Sequence, residues 1–154
     1  MPFTPYHLGI GLLLGVLLYK YLDIYSLLIG TVIVDIWPFS VLFFKIPYHL
    51  HGFSHSFIIA IIVSIILSFI RFRLNDYIKP KRSFSFIFLS FIIGTFSHVL
   101  LDAPLYYDMF PFWPSHFNPF YGLYTYSNAV LFSIICFILA GLIFIIKNRR
   151  KFYK

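Results

Sequence analysis

Five apolar runs dominate this chain, at approximately residues 5–22, 24–44, 53–71, 84–106 and 125–146. Each is near the ~20 residues an α-helix needs to cross the hydrocarbon core of a bilayer. Inside a bilayer every backbone N–H and C=O must find its partner within the protein, which leaves helices or closed barrels. Unbroken apolar runs of this length predict helices. The expectation is an all-α integral membrane protein, residues 1–154 forming one transmembrane domain of about five helices in a compact bundle. Composition agrees: 60% of the residues are hydrophobic and 11% charged, against about 25% charged in soluble domains. The first run has no Lys or Arg before Lys20. It lacks the positive start of a signal peptide and reads as a retained helix.

The net charge of +7 could point to nucleic acid. The basic residues instead sit in short segments between apolar runs, where membrane orientation accounts for them. No nucleic-acid partner is expected; membrane lipids are. Lys20 lies between runs 1 and 2, and Arg71, Arg73, Lys79, Lys81 and Arg82 lie between runs 3 and 4. Lys147, Arg149, Arg150, Lys151 and Lys154 form the tail. Five crossings put these eleven of the twelve basic residues on one side and leave Lys45 opposite. The positive-inside rule makes that side cytoplasmic, with the N-terminus outside.

The same topology sends all six histidines to the outer half, together with Asp35, Asp102 and Asp108. His51-Gly52-Phe53-Ser54-His55 opens run 3, and His98-Val99-Leu100-Leu101-Asp102 closes run 4. Residues i and i+4 share a helix face, so each pair is expected to turn two ligands inward. Imidazole and carboxylate suit zinc or another borderline divalent ion. With His7 and Asp35 the candidate metal ligands are His7, Asp35, His51, His55, His98 and Asp102, holding one or two ions. Asp35 and Asp102 are also the candidate catalytic carboxylates, since an ionised Asp at membrane depth is costly and marks function. The only cysteine, Cys136, lies inside an apolar run and excludes a thiolate cluster. The absence of any Glu leaves carboxylate chemistry to Asp alone.

Pro38, in Asp35-Ile36-Trp37-Pro38, predicts a kink or break in run 2. Gly9, Gly11 and Gly15 predict close helix packing in run 1. The segment from Pro104 to Tyr126, rich in Tyr, Phe, Trp and Pro, suits the headgroup region. It forms either an interfacial belt or a lid that admits a lipid, with Asp108, His116 and Asn118 as substrate contacts. His49 has no spaced partner and is left at the rim.

Several of these segments resemble one family. The Met1-Pro2-Phe3-Thr4-Pro5-Tyr6-His7-Leu8-Gly9 start, the Gly30 to Asp35 stretch, His51-Gly52-Phe53-Ser54-His55-Ser56 and Gly94-Thr95-Phe96-Ser97-His98 followed by Asp102 resemble the membrane-bound, metal-dependent hydrolases of the YdjM type. These are also described as LexA-binding inner-membrane proteins. The resemblance runs to about Asp102 and implies a metal site in the cell membrane. It departs at Val34, where the family commonly has Pro. A second similarity, of residue order and type, is to the first part of the metal pattern of zinc-dependent phospholipase C. It implies one ion on Asp35, His55 (or His51) and His98. Asp102 would then bridge to a second ion on His7.

The function expected is hydrolysis of an ester, such as a phosphoester or lipid headgroup, at the outer face. The alternative is a non-catalytic subunit of a larger membrane complex, or a proton or metal-ion relay. The inner halves of the runs are nearly all apolar, which counts against a relay.

Overall fold

The computed structural model describes residues 4–47 and 50–152. His49, the Met1-Pro2-Phe3 start and Lys154 lie outside them, as do the side chains of Arg150 and Lys151. Among the described residues there are six α-helices and no strand. They are α1 (His7–Leu17), α2 (Ile24–Ile33), α3 (Ile36–Phe43), α4 (Phe57–Arg73), α5 (Phe84–Asp102) and α6 (Tyr126–Phe152).

Each apolar run became helix, with three differences that matter for the site. The first concerns length. α4, α5 and α6 are long and apolar enough to span a membrane, and α2 with α3 makes a fourth, bent span. α1 has only 11 residues, roughly 16 Å at ~1.5 Å per residue. It covers about half the ~30 Å hydrocarbon core, so run 1 is shorter as a helix than as an apolar stretch.

The second is the break in run 2. α2 and α3 meet at 41°, and the chain turns at Val34–Asp35 rather than at Pro38. Pro38 occupies the first turn of α3, where a helix N–H has no intrahelical partner to lose. The break places Asp35 immediately before α3. As the residue before α3 it makes no side-chain cap, so its carboxylate is available to the bundle interior.

The third is the start of run 3. Residues Phe53–His55 form a separate 3-10 turn, and α4 begins after Ser56, whose hydroxyl accepts from the Ile59 N–H at 3.3 Å. His51 and His55 therefore do not share a helix face, and the expectation that they do is corrected.

α5 is central, packed on α2 and α4, while α1 packs on α2 and α6. The α2–α5 crossing depends on two glycines. A Cβ on Gly94 would lie 2.5 Å from the Leu27 carbonyl oxygen and 2.9 Å from Gly30 Cα. Small residues let transmembrane backbones touch where lipid supplies no hydrophobic drive between helices. Gly9 does the same for α1 against Ser133 of α6.

The basic segments gather at one end. Arg71 reaches Asp23 at 3.2 and 3.3 Å, and Asp23 also accepts from the backbone and hydroxyl of Ser26. Both Arg71 and Asp23 are buried. Arg82 donates to the Tyr19 carbonyl and Lys147 to that of Val16. The histidine-bearing ends of α1 and α5 lie at the other end of these helices. There the loop after α5 is pinned down. Gly52 and Met109 pair in a single bridge, and the Phe57 N–H donates to the Pro111 carbonyl at 2.9 Å. Met109 is buried against Ala60, Val99 and Ala103.

Candidate metal centre

Four side chains from three separate elements converge: Asp35 from the α2–α3 break, His55 from the 3-10 turn, and His98 and Asp102 from the last turns of α5. His55 and His98 are fully buried. Side-chain exposure is 2% at Asp102 and 13% at Asp35.

The hydrogen bonds fix which nitrogen of each histidine faces inward. His98 Nδ1 is 2.7 Å from the Thr31 carbonyl oxygen, which only accepts, so Nδ1 carries the proton. Ser54 donates its hydroxyl to the His51 carbonyl at 2.8 Å. Its oxygen is then left to accept from His55 Nδ1 at 3.1 Å. Both Nε2 atoms are thereby left as lone-pair donors, and they face each other at 3.3 Å. Two imidazole lone pairs at that distance repel unless a cation or proton lies between them. Asp35 Oδ1 is 3.4 Å from His98 Nε2 and 3.6 Å from His55 Nε2; Asp102 Oδ2 is 3.4 and 3.8 Å from the same atoms. Tetrahedral zinc with ~2.0–2.1 Å bonds needs ligand separations of about 3.3–3.4 Å. The donor set and its spacing fit a divalent cation, and the Thr31 and Ser54 bonds are the outer partners that orient metal-binding histidines.

Of the six expected ligands, four meet here. His7 lies beside them. Its ring stacks on His98 with centroids 3.9 Å apart, and its Nε2 is 3.3 Å from Asp102 Oδ1. Neither nitrogen of His7, nor Asp102 Oδ1, has a hydrogen-bond partner, and all three atoms are buried. A small cavity of about 10 Å³ adjoins them. His51 is directed elsewhere. Its Nδ1 is 3.3 Å from Asp108 Oδ1 and its ring stacks on Tyr106 with centroids 3.7 Å apart. It stays near the centre, 5.1 Å from the His55 ring. Burial holds its imidazole below the ordinary histidine range, against the opposing pull of Asp102 and Asp108.

The three expected substrate contacts fare differently. Asp108 is beside the centre through His51. Asn118 uses its amide within the loop, donating to the Ala103 and Tyr106 carbonyls at 2.8 and 3.2 Å and accepting from the Phe120 N–H. His116 is exposed and stacks on Phe110. Neither is brought to the cluster. Thr31, Ser54, Tyr106 and the Arg71–Asp23 pair were not singled out in the sequence. Only Gly30 and Gly94, as spaced small residues in apolar runs, hinted at the crossing that brings Thr31 to His98.

Fold and site together define a multi-pass, all-helical membrane protein with a buried Asp–His–His–Asp cluster able to hold a metal ion. The chain matches the family described as YdjM inner membrane protein over residues 1–153 and belongs to it. The inner membrane is therefore its location, as the apolar helices require. No curated protein and no solved structure matches the chain.

Proposed function

We propose that the protein is a membrane-embedded metal-dependent hydrolase acting on an ester, a phosphoester or lipid headgroup, at the outer membrane face. One observation carries the reading: the two inward-facing Nε2 atoms 3.3 Å apart, flanked by two carboxylates. Asp35, His55, His98 and Asp102 would hold the ion, which we take to be zinc. A divalent ion there supplies Lewis acidity, polarising an ester oxygen and making a nearby water more acidic. The chain does the rest. Thr31 and Ser54 hold His98 and His55 in one tautomer. Asp108 accepts from His51 Nδ1, which leaves His51 Nε2 as a proton acceptor. Asp102 Oδ1 and His7 Nε2, 3.3 Å apart and buried, form a further ligand pair fit for a second ion. The basic residues at the far end support the outward placement.

The test is metal analysis of protein purified without chelators, wild type against His98→Ala and Asp102→Asn. The expected result is bound divalent metal in wild type and its loss in both variants, with turnover in a panel of phosphoesters and lipids. Wild type free of metal would sink the reading. Metal without turnover on any ester would favour a subunit that keeps its ion for structure. An N-terminal tag reachable only from the cytoplasm would overturn the sidedness.

A further inference from the structure

A cavity of about 510 Å³ lies outside the Asp–His cluster. It is a crevice lined by residues of both α5 and α6. Its walls are mainly apolar, from Ile10 of α1, Leu100 and Leu101 of α5 and Phe132 of α6, with Ser97 and Asn128 adding polar groups. Leu100 and Phe132 are 48% and 44% exposed on the apolar outer surface, so the crevice opens sideways toward lipid. Its volume falls within the ~300–1,000 Å³ of ordinary ligand pockets.

Two neighbours give it direction. Leu101 and Ala129 also line the small cavity at His7 and Asp102. Tyr124 also lines a second cavity of about 260 Å³, walled by Tyr106, Tyr121, Thr125 and Tyr126. Leu105 lines both that cavity and the one at His7. A mainly apolar space open to the bilayer thus lies beside a tyrosine-lined space and close to the buried His7–Asp102 pair. Tyr124 is fixed at the junction, its hydroxyl donating to the Leu101 carbonyl. Burial pushes that hydroxyl up to about 12, so it stays a donor. A water-soluble ester would gain little from the mainly apolar crevice; an amphiphile would fill both parts.

We propose that the crevice between α5 and α6 receives one hydrocarbon tail of a bilayer phospholipid whose headgroup lies in the tyrosine-lined cavity beside it. The proposal rests on the hydrolase reading for what happens to the ester, but not for the binding itself. The first test needs no turnover. Wild-type protein in phosphatidylcholine nanodiscs is irradiated with a phospholipid carrying a diazirine midway along one acyl chain. Labelling is expected to be several-fold denser on peptides holding Leu100–Leu101 and Ala129–Phe132 than on the lipid-facing Ile62 and Ile66 of α4. Even labelling of all apolar helices overturns the proposal. The second test fills the crevice with Leu100→Trp. Crevice labelling is expected to fall several-fold, and turnover of a lipid phosphoester to fall several-fold relative to p-nitrophenyl phosphate. An unchanged ratio with unchanged labelling overturns it. If wild type hydrolyses neither ester, the hydrolase reading fails, while the wild-type labelling pattern still decides whether the tail binds.

Discussion

Adding one methyl group at Gly94 tests whether the α2–α5 crossing sets the geometry of the metal centre. In Gly94→Ala the new Cβ would sit 2.5 Å from the Leu27 carbonyl oxygen, and ordinary contact begins near 3.4 Å. Relief takes about 0.9 Å of separation between two backbones, since no flexible side chain stands at the contact. Thr31 directly follows Gly30, the other residue at the crossing, so the shift carries its carbonyl away from His98. The bond from His98 Nδ1 to Thr31 would lengthen from 2.7 Å to about 3.6 Å, beyond hydrogen-bond reach. His98 then loses its tautomer lock, and the Asp35 oxygen recedes from Nε2 by a similar amount. Loss of such an outer partner weakens metal binding by roughly 10–100-fold. Stability should survive: overpacking costs about 1–3 kcal/mol, offset by the ~1 kcal/mol gained on replacing Gly by Ala in a helix. Competition with a chromophoric chelator, in detergent-solubilised protein of intact helicity, reads the affinity. Gly141→Ala, where a Cβ meets nothing within 4 Å, should match wild type. A folded Gly94→Ala with wild-type affinity would refute the reasoning.

The two histidines of run 3 should separate cleanly. His55→Ala is expected to lose the metal. His51→Ala and Asp108→Asn should keep it and lose turnover, by roughly 10²–10⁴-fold for His51 as a general base; loss of metal in His51→Ala would return it to the ligand set. At the opposite end, Arg71→Leu leaves Asp23 charged and buried, which costs about 3–5 kcal/mol; thermal melts in detergent should show it, and Arg71→Leu with Asp23→Leu should recover part of the loss. Asn118→Ala removes two donated bonds and one accepted bond from the loop, each worth ~1 kcal/mol. Faster chymotrypsin cleavage between Tyr106 and Tyr124, with metal content unchanged, is the expected sign that Asn118 holds the loop and not the ligand. Acidification should release the ion, because imidazole and carboxylate bind only when deprotonated.

Much of this was written in the chain. Apolar runs of bilayer length dictate helices because lipid offers the backbone no partner. The membrane class and the helical segments follow from this without any tertiary contact. The i, i+4 spacing of His98 and Asp102 also held, since both lie on one uninterrupted helix. The same spacing misled at His51 and His55. There the backbone turns before α4 begins, and a period of 3.6 says nothing about a segment that is not yet helix. Tertiary structure decided the rest. The Gly30–Gly94 contact chose which carbonyl orients His98, and the break before α3 aimed Asp35 inward. The pinned loop drew His51 to Asp108 and spent Asn118 on its own carbonyls. Arg71 found Asp23 across 48 residues. Sequence thus named the residue types and the depth at which they gather. Which atoms meet depends on where helices cross, and that is set by packing between segments far apart in the chain.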